Sequence, residues 1–503
     1  MRKTCFTLTL FLVAALFFGR FPLAGQQPAA DNKPQEQAQT YNPEYTYTPK
    51  QLQEDFQLLR TALEEAHGGL YFYTPKEEMD RQLNSIEKML TRPMTELEFY
   101  LLIAPMMVNI RDGHTWPRLS KACDEYLQKK PVSFPFNLKF IKGKAYIFRN
   151  CSENPDVPAR GSEVLSINGH PMAEILAKML PLVPEDGLIE TGKYRRMERT
   201  SIFDSLLVLL YGESTEYTLK YLDFNSGVET SVKVKGLPWA QLLTVYGERY
   251  PDAVKEKPPI KLEFQEDVAV LTISTFGDSP YQKQNISYPE FMKNTFNQLQ
   301  EKKIRYLVVD LRDNSGGSDE FGKILFAYLY DKPFQYYESL TVKEVNLSFW
   351  DRTDSPGDKD ELVKRTKKNQ EGTYDAVGHP NLGEQQPLPP TFTGNVLVLI
   401  NGGSFSATGE STSLIHYHKR AQFAGEECGA GYYGNTSGFG VSVTLPNTKL
   451  RIGVPMVRYS MAVSGYPKER GIIPDYPVES TINDLVNGKD PVMEFALKQV
   501  KKL

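Results

Sequence analysis

Two serines, Ser404 and Ser406, follow the apolar run Val396-Leu397-Val398-Leu399-Ile400 and the turn Asn401-Gly402-Gly403. A β-branched apolar run of this kind reads as a strand buried on both faces. The stretch 411–418 after it reads as a helix. A serine at a strand-to-helix junction lies beside the free amides of a helix N-terminus, which can receive a developing oxyanion. The competing assignment is an ordinary turn in which Ser404 or Ser406 caps the helix. A serine nucleophile needs a base, and histidine is the usual one. The chain has six histidines, at 67, 114, 170, 379, 416 and 418. His416 and His418 fall far along the expected helix, and His170 and His379 sit in turn-like contexts. His114, in Asp112-Gly113-His114-Thr115, and His67 remain as candidate bases. A third segment, Asp310-Leu311-Arg312-Asp313-Asn314-Ser315-Gly316-Gly317, lies at the carboxyl end of a strand, where open parallel sheets bind ligands. Its consecutive glycines let backbone amides approach a substrate oxygen.

These segments need a scaffold that brings positions 114, 316 and 406 together. Strands are expected at 268–273, 304–311 and 396–400, with helices at 288–302 and 320–330 between them. This alternation implies a mostly parallel sheet with crossover helices. Ahead of it, 49–132 has helical periodicity, with Leu52, Phe56, Leu59 and Leu63 in register and a Thr95/Glu98 capping box. Residues 133–238 are β-rich, with hairpin signals at Lys142-Gly143 and Asn225-Ser226-Gly227. The stretch 350–392 is polar and rich in Asp, Lys, Gly and Pro, and reads as a long surface insertion. A final helix is expected within 486–503.

The first 25 residues carry Arg2 and Lys3, a short apolar stretch at 6–18, and Ala24-Gly25, the pattern of a secretory signal peptide. About 13 apolar residues are too few for a bilayer that needs about 20. Residues 26–48 read as a flexible leader. Transport out of the cytoplasm, to a periplasmic or extracellular location, follows as an expectation, with no stable membrane span. A formal charge of -4 without a basic block argues against nucleic acid as partner. Beyond the leader, Cys123, Cys151 and Cys428 match no zinc-site spacing. They read as structural, with Cys123–Cys151 as the candidate bridge. No His-Glu-x-x-His motif exists, and neither metal nor cofactor is expected.

The three chemistry-bearing segments, taken in order, resemble those of the S41 peptidase family, which holds the C-terminal processing and tricorn-type proteases. Gly471-Ile472-Ile473-Pro474-Asp475 extends the similarity, and Gly161 to Gly169 of the β-rich part resembles a PDZ domain. The resemblance implies an α/β multidomain protein: a helical N-terminal domain (49–132), a PDZ-like module (133–238) and an α/β core (239–485) with a mostly parallel, ClpP/crotonase-like sheet. It also implies a peptide or protein substrate. One catalytic scheme of the family places a lysine in a Gly-Lys-Gly loop beyond the nucleophile helix. The similar segment here, 425–434, contains none. The tricorn-like scheme uses serine and histidine with a supporting glutamate.

On that pattern Ser406 is the nucleophile, because it precedes Ala407 as in the family's Ser-Ala-x-Glu. His114 is the base and Glu469 the supporting acid, while Gly316 or Gly317 joins Ala407 in the oxyanion hole. Gly409 stands where the family has Glu, and Glu410 follows it. Glu410 is then read equally well as an exposed carboxylate at the positive end of the helix dipole. Arg312 and Asp310 are assigned structural roles. An imidazole base predicts kcat/KM rising through roughly pH 6–7. The rival from another class is a non-catalytic peptide-binding protein with the same fold, in which His114 and Ser406 stand apart. An esterase elbow fits poorly, since Ser406 occupies the second glycine position of Gly-x-Ser-x-Gly.

Overall fold

The computed structural model describes residues 41–503, which form one compact unit. The expected signal peptide and residues 26–40 of the leader lie outside the described residues. Residues 41–48, read as the end of that leader, are tied down. Tyr47 exchanges both backbone hydrogen bonds with Met94, and the Thr48 side chain caps helix Pro49–Ala66.

A six-stranded sheet positions the chemistry. Its order is Tyr476–Pro477, Gln422–Gly425, Asn395–Ile400, Tyr306–Asp310, Val268–Ile273 and Ile260–Gln265. Neighbours are parallel except the last pair, which is an antiparallel hairpin. The continuous apolar runs follow from burial on both faces. Val308, Leu397 and Leu399 point to the side covered by Val492, Ala496 and Val500 at the C-terminus. Leu307, Val309, Val396, Val398 and Ile400 join the main core on the other side. Asp310 pairs with Leu399, so the loop after Asp310 and the turn after Ile400 leave the sheet at the same edge.

A second sheet delivers the histidine. Its order is Pro117–Arg118, Arg451–Met461, Tyr337–Val342, Tyr374–Ala376 and Thr366–Lys368, with Thr436–Thr444 also pairing with Arg451–Met461. Pro117 pairs with Ile452, which anchors the segment just beyond His114. Two of these strands come from the insertion, so 350–392 is only partly a surface loop. Trp350, Leu362 and Asn381 are buried within it.

The β-rich part, 133–238, is an antiparallel sheet ordered Phe136–Ile141, Lys144–Asn150, Glu163–Ile167, Glu216–Leu222 and Glu229–Lys235. Helices Met172–Met179 and Thr200–Tyr211 pack with it, and Ile175, Phe203 and Leu207 share a core with Phe136 and Leu219. One hydrophobic cluster runs through the N-terminal helices, this sheet and the core sheet. Cys123, Cys151 and Cys428 are buried and free, so the expected Cys123–Cys151 bridge is not formed.

Candidate active site

The turn after Asn395–Ile400 is held by its polar side chains. Asn401 Oδ1 accepts from the amides of Asp313 and Gly403, both at 2.9 Å, and ties the turn to the glycine-rich loop. Ser404 is fully buried; its Oγ donates to Leu311 O at 2.8 Å and accepts from Asn401 N at 3.1 Å. That hydroxyl is committed to the scaffold. Ser406 differs. It caps helix Ala407–Tyr417 by position, yet its side chain makes no capping bond, and its backbone sits at φ 56°, ψ −127°. A non-glycine residue at positive φ is strained, and here the strain turns the hydroxyl out of the helix. Ser406 Oγ lies 3.2 Å from His114 Nε2.

His114 arrives on a clamped loop. Its own amide donates to Asp112 Oδ1 at 2.8 Å, and Gly113 N donates to Asp186 Oδ1 at 2.8 Å. Asp186 Oδ2 accepts from Gly431 N at 3.0 Å, joining the histidine loop to the loop beyond the nucleophile helix. Asp112 also accepts from Thr115 Oγ1 and Thr436 Oγ1. Asp112, His114 and Asp186 bring ligand-type atoms within 4.8 Å of one another. The protein's own donors already engage both carboxylates, so the trio is built to hold loops together. Burial, and the closeness of the two acids, raises Asp112; burial likewise raises Asp186. For His114 the direction is reversed. Burial and then the charge of Arg196 push the imidazole down to about 3.

His67, the other candidate base, is buried away from Ser406. Its Nδ1 accepts from Gly69 N, so the neutral ring carries its proton on Nε2 and donates to Thr115 Oγ1 at 2.8 Å. Thr115 passes the bond on to Asp112. His67 therefore supports the histidine loop from behind.

Glu469 does not reach His114. Its carboxylate pairs with Arg111 Nη1 at 2.7 Å, at the entry to the histidine loop. His114 Nδ1 is buried and has no hydrogen-bond partner among the described residues. The supporting-acid assignment is corrected accordingly, because an arginine at the loop entry captures the carboxylate first.

The oxyanion donors narrow as well. Gly316 N donates to Asn314 Oδ1 at 3.0 Å, which removes it from the set. Gly317, at φ +139°, and Ala407, the first residue of its helix, make no amide hydrogen bond to a described residue. Ala407 N would lie 2.9 Å from a Cβ placed on Gly316, so the glycine-rich loop and the helix start abut.

Glu410 is not an exposed dipole carboxylate. It is buried, with Oε2 2.7 Å from Tyr337 Oη and Oε1 accepting from Asn435 Nδ2 at 2.8 Å. Arg312 bridges Asp310 and Asp490 with bonds of 2.7–2.9 Å, fixing the loop to the N-terminus of helix Pro491–Gln499. Sequence reasoning did not reach Asp186, Glu185 or Arg196. They lie in 183–199, where no periodicity or motif marks them.

Residues 267–478 match the family model of Peptidase family S41. No curated protein matches the chain in sequence. Among solved structures, mature CPAF superposes with a TM-score of 0.59 at 16% identity, over 90% of this chain and 97% of that one. Mature CPAF complexed with lactacystin gives 0.61 at 16% identity, over 90% and 98%. The photosystem II D1 C-terminal processing protease gives 0.41 at 13% identity, over 85% and 93%. At these identities the likeness to CPAF is one of fold. The family match falls on the segment that carries Ser406 and the glycine-rich loop, and it assigns residues 267–478 to Peptidase family S41, as a serine-type peptidase domain.

Proposed function

We propose that the protein is a secreted or periplasmic serine endopeptidase, or a carboxyl-terminal processing peptidase, working through an acyl-enzyme on Ser406. The observation that carries this reading is the 3.2 Å contact between Ser406 Oγ and His114 Nε2. In the proposed reaction His114 Nε2 takes the hydroxyl proton as Oγ attacks the scissile carbonyl. The amides of Gly317 and Ala407 receive the oxyanion. His114 then protonates the leaving amine, and water enters by the reverse route to free the acid and Ser406. A non-catalytic binder has no need of this contact.

The core sheet is read as ClpP/crotonase-like, supported by its four parallel pairings and by loops gathered at one edge. The 133–238 sheet is read as PDZ-like. Its edge strand, Phe136–Ile141, is bonded to Glu198 through Phe140 N and Lys139 Nζ, so strand addition there requires Glu198 to give way. Export rests on residues 1–25. No helix among the described residues is long and apolar enough to cross a membrane.

Hydrolysis of an unfolded protein substrate tests the reading. Ser406→Ala should lower kcat on the order of 10⁶-fold, the loss seen when a nucleophile is removed. Undiminished turnover in that variant would refute it.

A further inference from the structure

A histidine that accepts a proton from serine and returns it to an amine must keep its ring plane fixed throughout. In a serine–histidine–acid triad the acid does this, by bonding the second ring nitrogen. His114 lacks that bond: Nδ1 has no partner among the described residues, and Glu469 is paired with Arg111. The clamps from Asp112 and Asp186 act on backbone amides and fix the loop, leaving the side-chain torsions free. Besides Ser406, the imidazole meets the ring of Phe405, the residue just before the nucleophile. The two rings are stacked, with centroids 4.8 Å apart and an interplanar angle of 28°.

Phe405 is itself held on several sides. Its amide donates to Asn314 O at 3.0 Å, and its carbonyl accepts from Thr408 N at 3.2 Å. The guanidinium carbon of Arg196 lies 4.6 Å from its ring centroid, and Arg196 is fixed by the buried Glu185 at 3.0 Å. Gly113 completes the seat. A Cβ there would fall 2.7 Å from Phe405 Cζ and 2.9 Å from Arg196 Nη2, which is why the residue before the histidine has no side chain.

We propose that Phe405 is the positioning residue for His114, its face holding the imidazole plane in the place a triad gives to an acid. The proposal rests on the reading of Ser406 and His114 as nucleophile and base. The charged groups around the ring are Arg196, Asp112 and Asp186. Burial and then Arg196 keep it neutral, so a ring freed from Phe405 should turn toward solvent and regain a more ordinary titration.

The test uses fluorophosphonate labelling and peptide hydrolysis by the full-length protein, with melting temperature as the check on folding. Phe405→Leu keeps an apolar side chain without a flat face. It should lower the labelling rate and kcat about 10-fold, the scale of one aromatic stacking contact, with KM nearly unchanged. The acid limb of its kcat/KM profile should move up toward the ordinary histidine value. Gly113→Ala drives a methyl into Phe405 and should produce the same loss. The double variant should lose no more than either single one. Gly113→Ala also serves as the readout if Phe405→Leu does not fold. Wild-type rates with an unmoved acid limb in both variants, or losses that add in the double variant, would overturn the role of Phe405. Label that persists in Ser406→Ala would instead overturn the nucleophile assignment, so the two failures are separable.

Discussion

Gly409 and Ala430 are packed so closely that a Cβ on Gly409 would lie 2.2 Å from the Cβ of Ala430. This contact links two departures from the family pattern. Gly409 stands where Ser-Ala-x-Glu has its glutamate, and Gly429-Ala430-Gly431 has no lysine between its glycines. The loop packs onto the first turn of the nucleophile helix, and Gly409 has no room for a side chain while Ala430 faces it. Gly409→Ala should therefore destabilise the protein by about 1–3 kcal/mol, the usual cost of overpacking. Ala430→Gly in that background should restore most of the loss. Thermal or denaturant melts of the two single variants and the double read this directly. Strictly additive effects would contradict the contact.

The base should be silent across neutral pH. His114 is pushed down to about 3 by burial and Arg196, so the neutral ring that accepts the Ser406 proton persists well below the ordinary histidine range. Activity belongs to the state above the folded pKa and is lost as pH falls through it. The rise through pH 6–7 expected of a solvated histidine should accordingly be displaced to more acid values. A kcat/KM profile measured over the range in which circular dichroism shows an intact fold checks this. A limb centred near pH 6.5 would mean a solvated imidazole, and one above about pH 8.5 a lysine base.

Tyr337 Oη lies 2.9 Å from Asp319 Oδ2 and 2.7 Å from Glu410 Oε2, yet a phenol has one hydrogen to give. One of the two carboxyls must be protonated and donate to the phenol oxygen. Glu410 is the buried one, and burial and Asp319 both raise it. A raised carboxyl contributes stability that is full below its unfolded pKa and is lost as pH rises through the folded value. Glu410→Gln keeps a neutral donor and acceptor in the same place. Its melting temperature should fall less than that of wild type from mildly acidic to alkaline pH. Parallel curves would contradict the shared proton. Glu410→Ala should cost about 1–3 kcal/mol, because the buried groups of Asn435 and Tyr337 lose a partner.

The core sheet was legible because its strands are buried on both faces, which turns Val396 to Ile400 into an unbroken apolar run. The capping box at Thr95 and Glu98 was equally visible, being a local bond between residues three apart. The encounter of His114 with Ser406, 292 residues apart, was reached through motif order and not through any local signal. What escaped is tertiary. Glu469 has the right residue type, but Arg111 claims it, and ion pairs of that kind leave no periodicity. The amide of Gly316 was lost to a side chain two residues away, Asn314, whose rotamer no pattern specifies. The insertion looked polar because its paired strands, Thr366–Lys368 and Tyr374–Ala376, have no fully buried position.

The two serines of the turn give the most direct test of the whole account. Ser404 bonds the scaffold and Ser406 faces the base, so a fluorophosphonate should modify one and not the other. Peptide mapping of the labelled protein is predicted to place a single adduct on Ser406, present in Ser404→Ala if that variant folds and absent in Ser406→Ala. Modification strongly slowed in His114→Ala would complete the result. An adduct on Ser404, or undiminished labelling of Ser406→Ala, would contradict it.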